Sequence, residues 1–513
     1  RYLVFKEQNL RCRRGGFGLQ TYYTRRYIML FTSPIFLFLF LPAVIILYRF
    51  LPKKIFIQNL FLLFVSSIFY YYGEQEKIFI MYFVILLNWA IALYIDSGVV
   101  DDGTYREKTS LQKAAMGVCL FISVGLLWYY KYLNFSIEML NSLFSLQPSI
   151  QLISGIVLPL GISFYTFHVL SYTLDVYFGR LKVERNFFNF CSYVLMFPQL
   201  IAGPIVRYID IKRQFYNRTI TPIGFVNGIR TFCYGLSKKV LIANTIAVYV
   251  DNIFAKPVDT LTTADCWLGA IGYTLQIYFD FSGYSSMAIG LAMLFGFHYK
   301  ENFNYPYIAK SAAEFWHRWH ISLSTWLRDY VYINVGGNRV APWRRHLNVL
   351  FVFFCSGLWH GANITFVFWG LLYGFFIVLE NLGLNKLLKK SGLLAHIYLP
   401  LLATTAWVIF RSDDMSYASA FISKMYMLNG IDWHMSIKLE HNVIFAMIVG
   451  IILSYDWRNC YKKACLLVVE KMQNRKAFMV QKVLGIALSI LLFVVSVASI
   501  MSSSHNPFIY FRF

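Results

Sequence analysis

Phe315–Arg328 reads FWHRWHISLSTWLR. This stretch places two histidines, two arginines and three tryptophans in a chain that is otherwise rich in apolar runs. A further histidine, His360, follows in the sequence SGLWHGA at residues 356–362, again between apolar runs. An ionisable side chain at membrane depth costs roughly 2.5 kcal/mol or more as a permanent charge, and less as a neutral imidazole. His320 and His360 therefore indicate chemistry inside a membrane domain.

The composition identifies the class of protein. Hydrophobic residues make up 58% of the 513 residues and charged residues only 14%, whereas a soluble domain has about 45–50% and about 25%. Apolar segments recur from Ile28 to Ser503 without a long polar stretch between them. We therefore expect one all-α polytopic membrane domain.

The net charge of +22 could attract nucleic acid. However, the basic residues lie in short loops between apolar segments, where contact with anionic lipid and control of topology account for them. We expect membrane lipid, and no nucleic acid, as a partner.

The eight cysteines are scattered without Cys-x-x-Cys or zinc-ligand spacing, so we expect neither disulfides nor a metal site.

The chain divides into a basic N-terminal extension at 1–28, a transmembrane domain at 29–505 and an aromatic C-terminal motif at 506–513. Since a spanning helix needs about 20 mainly apolar residues, the domain is predicted to hold about ten or eleven spans. The stretches 187–203 and 315–335 carry too much Pro, Gly or charge to face lipid. They are predicted to be re-entrant or interfacial helices around a central funnel. The predicted spans occupy 28–48, 55–72, 78–96, 114–134, 151–172, 222–250, 267–296, 347–381, 396–411, 441–457 and 483–503.

The loop between the last two predicted spans is strongly basic and is predicted to be cytoplasmic by the positive-inside rule. The last span then delivers the C-terminus to the outer face. The basic residues of this loop are Arg458, Lys462, Lys463, Lys471, Arg475, Lys476 and Lys482, against the acidic Glu470.

Five motifs, in this order, resemble the membrane-bound O-acyltransferase (MBOAT) family, in the bacterial branch that includes alginate O-acetyltransferases and teichoic-acid D-alanylation proteins. Two positions differ from the usual pattern, namely His317, where arginine is common, and Ser286, where aspartate often stands. The motifs are LIAGPIVRY at 200–208, YFDFSGYS at 278–285, FWHRWHISLSTW at 315–326 with YINVGGN at 332–338, GLWHG at 357–361, and FIYFRF at 508–513.

The resemblance implies an active-site role for His360, which matches the family's histidine in Trp-His-Gly. A neutral imidazole can take the proton of a hydroxyl that attacks a thioester, and its reference pKa of about 6.5 suits that task. Trp359 is expected to shape the pocket. His320 matches the second histidine of the branch and could orient the acyl carbonyl, stabilise the oxyanion or share the proton transfer.

Other polar residues have two interpretations each. Arg318 and Arg328 could grip the phosphates of a coenzyme donor, or anchor lipid phosphate. Asp280 is an intramembrane carboxylate and so a functional candidate, or else the structural partner of a buried arginine. Arg207 could cap a re-entrant loop or contact substrate.

The terminal motif Phe508-x-Tyr510-x-x-Phe513 resembles a motif whose tyrosine is proposed to receive an acyl group. We therefore expect Tyr510 to be acylated and to present the group on the outer face. A phenol has a reference pKa of about 10 and forms a reactive aryl ester. The alternative is an aromatic belt residue at the membrane interface.

The resemblance implies an O-acyltransferase of the bacterial plasma (inner) membrane with an extracytoplasmic C-terminus. It is expected to move acetyl from a cytoplasmic thioester, acetyl-CoA, toward alginate, another exported polysaccharide or peptidoglycan, without a bound cofactor. A separate extracytoplasmic SGNH-type acetyltransferase is the expected partner. The alternatives are D-alanyl transfer to teichoic acid, lipid acylation, and a transporter whose buried histidines relay protons.

Overall fold

The computed structural model describes residues 29–96, 107–145, 148–201, 203–427, 432–457 and 475–502. These residues are mainly helical and contain no strand. The N-terminal extension, the basic loop up to residue 474 and the C-terminal motif lie outside the described residues. The α-helices are α1 Leu41–Phe50, α2 Ile55–Glu74, α3 Ile78–Asp96, α4 Ser110–Lys131, α5 Leu133–Phe144, α6 Ile162–Tyr177, α7 Phe187–Leu195, α8 Phe197–Leu200, α9 Tyr208–Ile211, α10 Pro222–Ser237, α11 Asn244–Phe254, α12 Thr263–Leu294, α13 Ala312–Arg318, α14 Ile321–Leu327, α15 Pro342–His360, α16 Ile364–Leu379, α17 Asn385–Lys390, α18 Gly392–Arg411, α19 Met415–Met425, α20 His441–Leu453 and α21 Arg475–Ser502.

Within the described part of the chain, five helical stretches are long and apolar enough to cross a membrane. Two shorter apolar helices accompany them. The all-α membrane architecture is thus confirmed, while the number of ten or eleven spans stays a prediction. The five stretches are Ile55–Asp96, Ser110–Lys131, Ile364–Lys390, Gly392–Arg411 and Val483–Ser502, and the shorter helices are Phe36–Phe50 and His441–Leu453.

Three predicted windows do not each form one regular α-helix in the structure, although the longest windows could hold two helices. The window 151–172 is wrong for its first part, because the helix begins only at Ile162. Gly161, just before it, has φ +71, and a Cβ there would lie 2.5 Å from a facing backbone oxygen. Window 222–250 contains a π-helical turn at Lys238–Ala243, and window 347–381 divides between α15 and α16.

The stretches 187–203 and 315–335 form short helices separated by breaks, as their composition suggested. Several of their large side chains are buried in protein, among them Phe197, Leu200 and Phe315, which are fully buried. Irregular backbone is tolerated at membrane depth under this condition. Re-entrance itself stays a prediction.

The buried apolar residues form two clusters. The first joins α6, α7, α14 and the second half of α12, and includes Trp359. The second joins α11, the first half of α12, α13, α16, α18 and α19. The long helix α12 therefore contributes to both clusters and lies along their boundary.

Glycines let α10 pack closely against α12. A Cβ at Gly235 would lie 2.6 Å from the carbonyl oxygen of Gly283, and one at Gly228 would lie 2.9 Å from that of Gly290. In a membrane, hydrophobic burial does not drive helix association, and small residues that allow backbone contact supply packing instead. These four glycines set the position of α12, which lines the candidate site.

Candidate active site

His360 is the last residue of α15, and its side chain is 4% exposed. Its ring contacts three aromatic rings edge-on, with centroid distances of 4.9 Å to Trp359, 5.0 Å to Trp369 and 5.3 Å to Phe410. Edge-to-face contacts of this kind hold a ring in place. The imidazole is thus enclosed by apolar surface on three sides.

Close backbone packing brings α16 to this imidazole. A Cβ at Gly357 of α15 would lie 2.3 Å from a carbonyl oxygen of α16, and one at Gly370 of α16 would lie 2.2 Å from a carbonyl oxygen of α15. Neither position leaves room for a side chain. Trp369, the neighbour of Gly370, consequently reaches the ring of His360.

The end of α4 holds the end of α15. Lys131 Nζ donates to the carbonyl oxygen of Trp359 at 2.5 Å and lies 3.4 Å from that of His360, and the Tyr132 hydroxyl donates to the carbonyl of Leu358 at 2.8 Å. The last carbonyls of a helix have no partner in the helix and carry partial negative charge, which a cation satisfies. This cap fixes the backbone from which His360 projects.

His320 lies at the break between α13 and α14 and is 0% exposed. Its backbone is left-handed, with φ 42° and ψ 54°. That conformation costs a non-glycine residue roughly 1–2 kcal/mol. Strained backbone at a buried ionisable residue is typical of functional sites.

Side chains from two elements enclose the His320 ring. The ring centroid lies 4.6 Å from Phe281 of α12 and 5.9 Å from Trp359. Asn302, in the segment between α12 and α13, contacts the break and the start of α14 through both its side chain and its backbone. Its Oδ1 lies 3.2 Å from His320 Nδ1, and its carbonyl accepts from the Ile321 N–H at 2.9 Å.

The indole of Trp359 is the common wall of the two imidazoles. It is 6% exposed and also contacts Phe164 and Phe167 of α6, each at 5.5 Å between centroids. Trp359 belongs to the first core cluster, whereas the other aromatic neighbours of His360 belong to the second. The structure therefore brings His320 and His360 to one indole at the boundary of the clusters.

Glu380 anchors the helix that leads to His320. Its carboxylate accepts from the N–H groups of Ala312 and Ala313, at 2.5 and 3.1 Å, and from the Tyr398 hydroxyl at 2.9 Å. The first N–H groups of a helix lack partners, and a carboxylate satisfies them. α13 is therefore tied to the second core cluster.

The three candidate arginines all pair with carboxylates. Arg318 donates to Glu314 at 2.9 Å within α13. Arg207 and Arg328 both contact Asp329, each at 2.7 Å. These ion pairs favour structural roles, and contact with donor phosphates stays a prediction for all three.

Asp280 pairs with Lys239 at 2.5 Å between Oδ1 and Nζ, and both side chains are 2% exposed. The predicted partner was wrong in type, because the buried cation is a lysine and not an arginine. Losing one member of such a pair leaves a buried charge without compensation, which costs about 3–5 kcal/mol. Since Asp280 precedes Phe281, which contacts His320, the pair positions one wall of the site.

Tyr510 lies outside the described residues, so the structure does not test its role. Among the residues that the structure describes, no group of three or more His, Cys, Asp or Glu side chains is placed to hold a metal ion.

Sequence reasoning missed Asn302, Lys131 and Trp369. An asparagine in a loop carries no distinctive signal, and a tryptophan in an apolar helix is ordinary. Lys131 had a weak signal, since it is a cation at the end of an apolar helix. Such a lysine usually extends to the membrane interface instead.

Comparisons with known proteins identify relatives of this chain. The MBOAT, membrane-bound O-acyltransferase family, matches residues 179–409. "Probable alginate O-acetylase AlgI" of Pseudomonas putida is 38% identical over 507 residues, covering 94% of this chain and 100% of that protein. "Peptidoglycan O-acetyltransferase" of Helicobacter pylori is 31% identical over 441 residues, covering 79% and 81%. "Teichoic acid D-alanyltransferase" of Bacillus subtilis is 29% identical over 239 residues, covering 43% and 58%. Because 38% identity to one of these relatives extends along 94% of this chain, the chain belongs to the membrane-bound O-acyltransferase family and is an O-acyltransferase.

Proposed function

We propose that this enzyme moves an acetyl group from a cytoplasmic thioester, acetyl-CoA, into the O-acetylation of an exported polysaccharide or of peptidoglycan. The observation that carries the proposal is the pair of buried imidazoles on the Trp359 indole. The location that follows is the bacterial plasma membrane, with the C-terminus on the extracytoplasmic side.

The two imidazoles can perform the proton transfer of an acyl transfer. The hydroxyl oxygen of the acceptor attacks the thioester carbonyl carbon, the new C–O bond forms, and the C–S bond breaks. The hydroxyl proton passes to the imidazole pair, with His360 as its first base and His320 sharing the transfer, and then to the departing sulfur. The aromatic walls around His360 exclude water, which favours transfer over hydrolysis.

The first acceptor in this proposal is the Tyr510 hydroxyl. Its support is the sequence pattern Phe508-x-Tyr510-x-x-Phe513, which begins six residues after the last residue of α21, Ser502. An aryl ester at that position is reactive enough to pass its acyl group on. A separate extracytoplasmic SGNH-type acetyltransferase would take it to the polymer.

D-alanyl transfer to teichoic acid is the second candidate. It is supported by the similarity to a teichoic acid D-alanyltransferase, which covers less than half of this chain. The similarity to alginate and peptidoglycan O-acetylating proteins covers more of the chain, so acetyl is favoured.

Mass spectrometry of the full-length purified protein tests the proposal. After incubation with acetyl-CoA, the C-terminal tryptic peptide of the wild type should carry an acetyl group, about +42 Da. His360→Ala should lose the adduct because the proton transfer fails, and Tyr510→Phe should lose it because the nucleophile is gone. Tyr455→Phe, at another exposed tyrosine, should keep it.

Three results would contradict parts of the proposal. An adduct that persists in Tyr510→Phe rejects the tyrosine relay. An adduct that forms only with a D-alanyl carrier thioester assigns the second candidate function. An adduct that forms equally in His360→Ala removes His360 from the chemistry.

A further inference from the structure

We propose that Asn302 is a positioning residue that fixes neutral His320 as its Nδ1–H tautomer, so that Nε2 of His320 accepts a proton during acyl transfer. The proposal rests on the proposed function for the nature of the reaction. The family resemblance leaves two roles open for His320. To donate a hydrogen bond to the acyl oxygen, Nε2 of the neutral ring must carry the hydrogen, whereas to accept a proton Nε2 must be bare, so the tautomer decides between the two roles.

The orientation of the Asn302 amide follows from a backbone contact. The N–H of Ser322 donates to Oδ1 at 3.1 Å. A backbone N–H can only donate, and an amide nitrogen offers no acceptor, so the atom that faces Ser322 is the oxygen. The Ser322 hydroxyl also donates to this oxygen at 2.9 Å, and accepts from the Ile205 N–H at 2.9 Å. The amide therefore cannot be turned over without losing these bonds.

The tautomer of His320 follows from the amide. Nδ1 lies 3.2 Å from the same Oδ1, which is an acceptor only. The Ser322 hydroxyl lies 3.4 Å from Nδ1, but its hydrogen is directed to Asn302. Nδ1 must then carry a hydrogen. Because a neutral imidazole has a single N–H, Nε2 of His320 holds a lone pair.

Nε2 is buried and makes no hydrogen bond to any residue that the structure describes. The His320 ring packs against the rings of Phe281 and Trp359, neither of which donates a hydrogen bond to Nε2, and the titratable group that also contacts this indole is His360. A buried acceptor without a partner calls for an explanation. In the proposed reaction, the proton that His360 takes from the acyl acceptor and shares with His320 is the missing partner of this lone pair.

The assignment specifies where the proton goes. As the acceptor oxygen bonds to the thioester carbon, the hydroxyl proton passes to the imidazole pair and is held on Nε2 of His320. His320 is then an imidazolium whose Nδ1–H still donates to Asn302. When the C–S bond breaks, Nε2 returns the proton to the sulfur, and a free thiol and a new ester result.

Nitrogen-15 NMR of the histidine side chains measures the tautomer directly. The full-length protein is labelled at histidine, and the signal of His320 is identified by its absence in His320→Gln. At a pH where this ring is neutral, we expect a protonated Nδ1 and an unprotonated Nε2. A protonated Nε2 would overturn the proposal. No acyl donor is present, so this result does not depend on the proposed function.

Two substitutions at Asn302 test the consequence for catalysis. Asn302→Leu removes the acceptor and should lower kcat by about 10–100-fold, part of the roughly 10²–10⁴-fold that general acid–base catalysis supplies, with little change in the KM for the donor. Asn302→Asp keeps an acceptor, so it should retain most of the rate. Because a carboxylate favours the imidazolium, it should also move the acidic limb of the kcat profile to higher pH.

Asn304→Leu, two residues along the same segment, is the control for disturbance of the loop and should keep the wild-type pH profile. Thermal denaturation of each variant shows whether it folds. Full activity of Asn302→Leu, or equal losses with one pH profile in Asn302→Leu and Asn302→Asp, would reject the positioning role. If the leucine variant does not fold, the NMR result on the wild type decides.

Discussion

At His320 the chain keeps an imidazole in a backbone conformation that favours glycine. Its φ of 42° lies in the left-handed region, in the break between two short helices. A glycine would adopt this conformation without the roughly 1–2 kcal/mol that a Cβ adds. We infer that the strained backbone is retained because the imidazole is needed at this position. Strained backbone of this kind is common at functional sites.

Replacing this residue should separate stability from activity. His320→Gly and His320→Ala both remove the imidazole, so both should lose acyl transfer. The glycine variant should be the more stable of the two by about 1 kcal/mol, because it relieves the left-handed strain. Denaturation midpoints of the purified variants measure the difference.

A position inside α18 provides a control at which glycine should be less stable than alanine, the opposite of the order expected at His320. Ala403→Gly exchanges the same two residue types at a fully buried helical position, where glycine should cost about 1 kcal/mol. If His320→Ala proves more stable than His320→Gly, the strain at this position does not have the assigned cause.

Among the helices, the pair α15 and α16 positions His360. Gly357 and Gly370 allow backbone contact, and Lys131 caps the end of α15. Without a hydrophobic driving force inside lipid, such contacts supply most of the packing. The position of the catalytic candidate thus depends on glycines that themselves do no chemistry.

Gly370→Ala should lower both stability and acyl transfer. The new Cβ would lie 2.2 Å from a carbonyl oxygen of α15, so the helices must separate, at a cost of about 1–3 kcal/mol. Gly125→Ala in α4 is the matched control, because its Cβ meets nothing within 4 Å. Thermal midpoints and adduct formation are measured on both. Equal behaviour of the two variants would show that the close approach is not required.

Helices with uniform apolar composition were predictable from sequence, and irregular ones were not. Windows 55–72 and 78–96 correspond to α2 and α3. Window 151–172 failed at its start, where Pro159 and Gly161 precede the helix. Apolar composition is the same for a straight helix and for an irregular segment packed in protein, so it does not reveal such breaks.

At the scale of the whole molecule, an ion-pair network joins three segments that are far apart in the sequence. Arg207 contacts Asp329 at 2.7 Å and Asp210 at 3.1 Å, and Lys300 contacts Asp210 at 2.6 Å. These groups lie outside the five spanning stretches. Burial acts to raise the pKa of the Asp329 carboxyl, but Arg328 and Arg207 outweigh it, so this pKa lies below its usual range.

A lowered folded-state pKa gives the sign of the pH dependence. The stabilisation by Asp329 is present above the unfolded pKa of about 3.9 and is lost as pH falls through the lower folded value. Asp329→Asn should therefore cost about 1 kcal/mol at neutral pH, a figure discounted for partial exposure, and less in acid. Denaturation midpoints as a function of pH measure this, with the exposed Asp413→Asn as control. A constant difference between wild type and Asp329→Asn down to about pH 3 would contradict the assignment.

The sequence alone determined the class of protein, its helical character and the family, and it singled out His320 and His360 as candidates. Composition and short motifs are local properties, so they can be read without the fold. The tertiary structure alone decided which groups meet. Lys239 pairs with Asp280, Asn302 bonds His320, and one indole borders both imidazoles. Apart from Trp359 and His360, which are neighbours, these partners are separated in the chain, and their meeting depends on how closely the helices approach and where they break. Helix packing sets both, and the apolar pattern of a membrane sequence does not encode it.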